Sequence, residues 1–371
     1  MKIKSLLFLL LSVTIFSCEK AEEPEKEPEE EPPVSPNAVY IRADDVASGA
    51  FFNMTIRPDK IVRTLGTMIG SGNNLGSIQQ VDGGDFFTIV LRGDSTVWGW
   101  GRNTYGELGD SSTTDRTVPV KMHGLTDIVQ ISSGLRHVLA LKSDGTVWAC
   151  GYNYSGQLGD STLTHRNIPV KVKGLTNVIA ISAGWDHSLA LKADGTIWTW
   201  GQSYAAASSS TAQLFVFGTP GEIVKISGGA GFSLFLKNDG TVWGWGSNVA
   251  GQLGPTNSGS YTPVGQVSGI TGVTDIAAAY SHSLAIKADS TVWAWGTNTH
   301  GELGDGTTVD KSVPSQVHVL SKIISIDGGW SHSIAISEDK KVWTWGWNNG
   351  SQLGVPHTTI MDRLTPRAVV E

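Results

Sequence analysis

The feature that most constrains this chain is a tryptophan pair that keeps returning. "VWGWGRNTYGELGD" begins at residue 97, and it is followed by "VWACGYNYSGQLGD" at 147, "IWTWG" at 197, "VWGWGSNVAGQLG" at 242, "VWAWGTNTHGELGD" at 292 and "VWTWGWNNGSQLG" at 342. The first aromatic of each copy is Trp98, Trp148, Trp198, Trp243, Trp293 and Trp343, at spacings of 50, 50, 45, 50 and 50 residues. A period of this length marks a repeat architecture, in which one unit buries its apolar face only against the next.

Within a copy, "ISAGWDHSLALKADGTIWTWG" (181–201) reads as an apolar strand ending in Gly, a short turn, a strand of alternating apolar residues, an Asp-containing turn and the tryptophan strand. Period-two alternation puts Trp198 and Trp200 on one face of that last strand. The turns "SDG" (143–145), "ADG" (193–195) and "NDG" (238–240) are hairpin signals, with Asp bonding locally and Gly accepting positive φ. A fourth strand follows a long loop, as in "VPVKM" (118–122), "IPVKV" (168–172) and "VPSQV" (313–317).

The same frame exposes a degenerate first copy, "ASGAFFNMTIRPDKIVRTLG" (47–66), with Arg63 and Leu65 at the tryptophan positions; it lacks the long loop and one outer strand. The turn Asp then recurs as Asp59, Asp94, Asp144, Asp194, Asp239, Asp289 and Asp339. Seven copies of four antiparallel strands predict an all-β fold, a seven-bladed β-propeller whose radial stacking protects the sheet edges. The ends, "AVYIRA" (38–43) and "PRAVVE" (366–371), are expected to meet and close the ring, with the source of the outermost strand left open between them.

The combined "G-x-x-H-S-x-A-L", "V-W-x-W-G-x-N" and "G-x-L-G" elements resemble the regulator-of-chromosome-condensation repeat family over roughly residues 38–371. Copy four departs from the pattern, with "GQSYAAASSSTAQLFVFG" (201–218) in place of the Asn and Gly-x-Leu-Gly loop, and copy one departs throughout. The resemblance implies an interaction module: eukaryotic members act as nucleotide-exchange factors for small GTPases and bind chromatin, and secreted bacterial propellers of this type inhibit β-lactamases through an aromatic loop face.

Most of the motif reads as scaffold. Trp98, Trp100, Trp148, Trp198, Trp200, Trp243, Trp245, Trp293, Trp295, Trp343 and Trp345 supply the bulk that packed blades need, and Cys150 stands in for the second tryptophan of its copy as a small buried apolar residue. Asn103, Asn153, Asn248, Asn298 and Asn348 are expected to bond turn backbone. His137, His187, His282 and His332 share one repeat position that holds Phe52, Phe87 and Phe232 in the other copies. An apolar ring substitutes there, so the histidines read as packed, hydrogen-bonded residues rather than metal ligands. No metal, cofactor or enzymatic activity is expected: the chain contains no nucleophile elbow, phosphate loop, His-Glu-x-x-His or Cys-x-x-Cys, and Asp110, Asp160 and Asp305 belong to separate copies.

The amino terminus has a different character. "MKIKSLLFLLLSVTIFSCEK" carries two lysines, an apolar run too short to span a bilayer, and Ser17-Cys18, which resembles the lipobox of bacterial lipoproteins. Residues 1–17 are expected to be a signal peptide and Cys18 the lipidated residue. Residues 18–36 are expected to be a disordered, acidic, Pro-rich tether, with eight Glu against two Lys between 19 and 36. At about 3.1 Å per residue it would reach roughly 50 Å. With a net charge of −7 concentrated in that tether, the ring over residues 37–371 offers no basic footprint for a phosphate backbone, so nucleic acid is not an expected partner. The expected location is the outer membrane, with the membrane touched only through the lipid and an exposed surface position implied by the acidic stretch after the cysteine.

Binding residues should differ between copies and lie on loops. Two residues before the His position the chain reads Leu135, Trp185, Tyr280 and Trp330 in the His-bearing copies, and Ala50, Asp85 and Ala230 elsewhere. Arg136, Asp186, Tyr105 and Tyr154 are candidates for the same face, rimmed by the loops 110–116, 160–166, 255–261 and 305–311. The expected function is a monomeric, envelope-anchored module that binds a protein through this face. Carbohydrate capture is the alternative, and nucleotide exchange is disfavoured by the export signal.

Overall fold

In the computed structural model the described residues are 43, 45–70, 75–202, 208–216, 221–255, 259 and 261–370. The expected signal, Cys18 and the tether lie outside them. Residues 33–371 form one compact unit. Its strands make seven antiparallel sheets in chain order, blades 1 to 7, spanning 45–66, 78–121, 128–171, 178–215, 223–266, 273–316 and 323–368. Six blades have four strands, and blade 1 has three described strands. The fold is the seven-bladed propeller that the repeats predict.

Each tryptophan strand pairs with its neighbours in one register. Trp98 lies opposite Val90, Trp148 opposite Ala140 and Trp198 opposite Ala190, and a bulge interrupts the pairing to the outer strand between Gly99 and Gly101 and at the equivalent places. The closing Gly of Trp-x-Trp-Gly is dictated by space: Gly101 has φ 105°, and a Cβ there would stand 2.3 Å from the Phe86 carbonyl oxygen.

Seven hydrophobic clusters straddle neighbouring blades. Between blades 3 and 4, Leu139, Leu141, Leu158 and Val172 meet Ile181, Ala190 and Trp200. At the closing seam, Ala43, Val46 and Leu65 meet Ile334, Ile336, Val342 and Val369. The second tryptophan of each pair is buried, and a buried ring of that size contributes about 2–3 kcal/mol through area alone. The first is half-buried, and a cation lies over it in five blades: Arg92 over Trp98, Lys142 over Trp148, Lys192 over Trp198, Lys237 over Trp243 and Lys287 over Trp293.

The seams also share hydrogen bonds. His137 Nε2 lies 3.0 Å from Ser188 Oγ, His187 Nε2 2.9 Å from Ser233 Oγ, His282 Nε2 3.0 Å from Ser333 Oγ, and His332 Nε2 3.0 Å from Asn53 Oδ1. The hydroxyls of Ser188 and Ser333 donate to the carbonyls of Gln157 and Glu302, so His137 and His282 must donate through Nε2–H. Burial holds all four imidazoles neutral, with pKa values lowered to about 4 for His187 and about 3 for the other three. The Gln157, Gln252 and Glu302 carbonyls also accept the indole N–H of Trp200, Trp295 and Trp345 from the next blade, and Cys150 Sγ takes the same place on Glu107.

The ring closes without a strand shared between the chain ends among the described residues. Asp362–Ala368 completes blade 7 in sequence order, and the Ala43 N–H donates to the Lys340 carbonyl at 2.9 Å in that blade's hairpin.

Candidate functional site

The turns that leave the innermost strands and the long loops that leave the tryptophan strands lie on one side of the ring, because alternate strands of each blade run in opposite directions. The Arg102 N–H, in a long loop, bonds the Phe86 carbonyl of the adjacent inner turn. The inner turns are also tied to one another around the channel mouth: Ala50 N to Gly84 O, Asp85 N to Leu135 O, Leu135 N to Trp185 O, Trp185 N to Gly229 O and Tyr280 N to Gly329 O. The side chains on these turns therefore rise from a fixed collar.

Three rings from blades 4, 6 and 7 meet over the channel. Trp185 and Tyr280 have centroids 4.2 Å apart, Trp185 and Trp330 5.3 Å, and Tyr280 and Trp330 5.2 Å. Phe51 extends this cluster, 5.1 Å from Trp330, 5.0 Å from Phe86 and 5.9 Å from Trp347, and His300 stacks on Trp347 at 5.2 Å. All of these side chains are neither fully buried nor fully exposed, and the carboxylate of Asp362 beside His300 holds its imidazole above its ordinary pKa.

A second aromatic group stands on blades 2 and 3. His165 lies between Tyr152 (4.9 Å), Tyr105 (5.0 Å) and Tyr154 (4.7 Å), with Tyr154 67% exposed. His165 Nδ1 accepts the Asn153 N–H at 3.0 Å, a role that Asp115 and Asp310 fill for Asn103 and Asn298. Burial holds this imidazole below its ordinary pKa, so it presents a neutral ring with Nε2–H.

Between the two groups lies a charged bridge. Arg102 and Arg136 converge on Asp85 Oδ2 at 2.6 and 3.2 Å, and Arg136 also covers Tyr105 at 5.6 Å. Asp186 accepts from Gln157 Nε2 at 3.2 Å; burial raises its pKa and Arg136 opposes the shift. Burial likewise pushes Glu107 up to about 7.

The long loops are held from inside. Asn103 Oδ1 accepts the Leu108 N–H while its amide donates to Asp110 and to the Ser112 and Thr114 carbonyls, and Asn153 and Asn298 repeat the arrangement. Arg116, Arg166 and Lys311 close the loops onto Asp110, Asp160 and Asp305.

Below the collar, the channel encloses a cavity of about 310 Å³ lined by Asp45, Gln80, Asp82, Gln130, Asp327 and the Lys225–Asp275 ion pair, with Leu135, Trp185 and Tyr280 at its mouth. Its polar side chains are engaged in holding the blades: Gln80 and Gln130 bracket the Ile131 and Ile181 backbones, and Asp82 and Asp327 accept the Ser133 and Ser48 N–H groups. Among the described residues no group of three His, Cys, Asp or Glu side chains converges in a way that could hold a metal ion.

The structure thus brings Trp185, Tyr280 and Trp330 into one cluster, leaves Leu135 at the channel mouth, and places Arg136 and Asp186 in the charged bridge. Phe51, Phe86, Tyr152, His165, His300 and Trp347 were not anticipated. Phe51 and Phe86 stand one residue before the His position, and Tyr152 and Trp347 directly after Trp-x-x-Gly or Trp-x-Trp-Gly; both positions vary between copies, which was the available signal.

Comparison with known proteins agrees with this architecture. The profile of the regulator of chromosome condensation (RCC1) repeat matches residues 94–141, 144–191, 239–286 and 289–336, and a second profile of the same repeat matches 78–107, 128–157, 178–205, 223–252, 273–302 and 323–352. The RCC1 domain-containing protein RUG3 of Arabidopsis thaliana mitochondria is 30% identical over 121 residues, covering 28% of this chain and 27% of that protein, so the match spans about a quarter of the relative's length. Among solved structures, human WBSCR16 superposes with a TM-score of 0.70 at 23% identity, covering 78% of this chain and 85% of that one. Yeast Prp20p, described with its binding to Gsp1p and histones, gives 0.69 at 21% identity over 80% and 83% of the two chains. The profile matches cover most of the ring and lapse over the degenerate first copy, the departing loop and outer strand of the fourth, and the stretch after residue 352; the chain belongs to the RCC1 repeat family.

Proposed function

We propose that this propeller is a non-enzymatic, envelope-anchored module that binds a protein partner through its loop face. The observation that carries the reading is the contiguous, partly exposed aromatic network of Trp185, Tyr280, Trp330, Phe51, Phe86 and Trp347, standing on a backbone-bonded collar. Large rings held in place lose little conformational freedom on binding, and with a polar rim they have the composition of an interface hot spot. Prp20p, related in fold, binds proteins, which supports the same class of ligand here. The anchor rests on Ser17-Cys18 and the acidic stretch that follows. Ala43 meets the ring at the Lys340 hairpin, on the side opposite the loops.

The test is capture of envelope proteins by the ring and by Trp185→Ala and Tyr280→Ala variants of matched thermal stability, with the captured partner then titrated. Truncating a hot-spot ring costs about 2 kcal/mol or more, roughly thirtyfold in affinity. Equal affinity for parent and variants would remove the aromatic face as the site. Capture of glycans in place of protein, lost in the same variants, would favour the carbohydrate reading.

A further inference from the structure

Two arginines meet one carboxylate between the aromatic groups of the loop face. Arg102 Nη1 and the Nε and Nη2 of Arg136 converge on a single oxygen of Asp85, at 2.6, 3.3 and 3.2 Å. Asp85 is buried, while the arginine side chains keep 31% and 32% of their surface exposed. Among the described residues, Arg102 Nε and Nη2 and Arg136 Nη1 donate to no acceptor. A guanidinium carries five N–H groups in a fixed fork, so most of the donating capacity of Arg102 is unused.

The scaffold does not require this pair. At the position of Arg102 the other copies carry Thr67, Tyr152, Gln202, Ser247, Thr297 and Trp347, and at that of Arg136 they carry Phe51, Phe86, Asp186, Gly231, Ser281 and Ser331. Their blades close without a cation at either place. Nor do the neighbouring acids use the free N–H groups: Asp186 accepts from Gln157 Nε2 at 3.2 Å, and Glu107 from the Tyr105 N–H at 2.8 Å. Burial raises both carboxyls above their ordinary range, Glu107 to about 7. Rings stand on either side, because Asp85 adjoins Phe86, the Arg102 N–H bonds the Phe86 carbonyl, and Arg136 lies over Tyr105 at 5.6 Å.

Resting on the reading of this face as a protein-binding surface, we propose that Arg102 and Arg136 form a socket for an Asp or Glu side chain of the partner, with an apolar residue beside that acid seated on the adjoining rings. A carboxylate accepts parallel N–H bonds from a guanidinium fork, and such charge-assisted pairs are short and directional. A cationic epitope would meet like charge here. A neutral apolar one would strip water from the free N–H groups and return no acceptor, which is costly. The occupant is therefore acidic at the point of contact. Arginine and tryptophan side by side are also the residue types that dominate interface energetics when water is excluded around them.

The test uses two small probes that share a ring and differ only in the carboxylate, 3-phenylpropionate and 3-phenylpropanamide, titrated into the protein by NMR. The acid should bind about tenfold more tightly than the amide, and only the acid should move the Arg102 Nε–H resonance. Raising salt from about 20 to about 500 mM should shrink the preference several-fold, because the pair is partly exposed. Neither of these readings needs a variant. In Arg102→Gln/Arg136→Gln, with folding checked by thermal midpoint, the ratio should fall to within about twofold. Lys322→Gln, next to the Ser290 hairpin on the opposite side of the ring, removes one positive charge and should keep the preference. Equal binding of the two probes, both weakened in Trp185→Ala, would overturn the arginine socket and leave the aromatic face standing. A preference that survives the double variant, or no binding of either probe, would also overturn it. Failure of the protein-binding reading shows separately, as partner capture that is unaffected by Trp185→Ala and Tyr280→Ala.

Discussion

Ser290 stands where blades 3, 4 and 5 place Gly145, Gly195 and Gly240, and it holds the same left-handed backbone, φ 61° against 76°, 78° and 77°. The hairpin imposes that geometry: Asp289 accepts the Thr291 N–H and hydroxyl as Asp144 does for Thr146, and the Ser290 N–H bonds the Lys287 carbonyl. A residue with a Cβ pays about 1–2 kcal/mol there, and glycine recovers this less its greater freedom in the unfolded chain. Ser290→Gly should therefore stabilise the ring by about 0.5–1 kcal/mol, read as a higher urea midpoint at unchanged slope; a lower midpoint would mean the serine is unstrained. The Asp turn was legible in all seven copies, but its positive φ only where glycine advertised it. Ser95, Ser290, Lys60 and Lys340 adopt the conformation without a compositional sign. Phe51 and Phe86 were illegible for a related reason: a lone aromatic on a turn gains meaning only from the rings beside it, and those come from other blades.

At the scale of the strand, the second tryptophan of a copy is legible as a buried ring, while the partner of its indole N–H is not, because that partner belongs to the preceding blade. Trp295 and Trp345 donate to the carbonyls of Gln252 and Glu302 at 2.8 and 2.7 Å, in the Gly-x-Leu-Gly loops of blades 5 and 6. Blade 1 lacks that loop, and the indole N–H of Trp100 in blade 2 is buried with no partner. Blade 4 lacks it too, and Trp245 in blade 5 turns instead to the Tyr261 hydroxyl at 3.1 Å. Departures in copies one and four therefore reappear as altered hydrogen bonding one blade later. Replacing Trp by Phe removes similar volume at either site, but at Trp295 it also breaks a hydrogen bond, whereas at Trp100 it removes an unsatisfied donor. Trp100→Phe should accordingly cost at least about 1 kcal/mol less than Trp295→Phe in denaturant unfolding. Equal losses would mean that the Trp100 N–H finds an acceptor in solution.

Ring closure brings together groups that sequence keeps far apart, and the channel carboxyls are the clearest case: "VDGG" and "IDGG" read as two strand ends 245 residues apart until Asp82 and Asp327 are seen in one cavity. Burial, reinforced by each other's charge for Asp82 and by that of Asp45 for both, raises Asp82 to about 8 and Asp327 to about 6. Asp82 accepts the Gly83 N–H and, across the seam to blade 3, the Ser133 N–H; at the next three seams Ser132, Ser182 and Ser227 use a hydroxyl for the same bond. Its folded pKa exceeds the unfolded value of 3.8, so its contribution to stability is complete below that pH and is lost as pH rises through about 8. The four seam histidines oppose it: their folded values near 3–4 lie below 6.5, so their contribution is complete above pH 6.5 and is lost as pH falls toward 4. The two sets act on opposite sides of neutrality and can be separated by one substitution. Asp82→Asn keeps an acceptor for the seam but removes the titrating group, so the variant should gain on the parent steadily from pH 5 to pH 8 and run parallel to it above pH 9. Urea midpoints at those three values would show it. A constant difference at all three would mean that water entering the channel keeps Asp82 ionised across the range, and that the blades are joined there by a solvated carboxylate rather than a buried one.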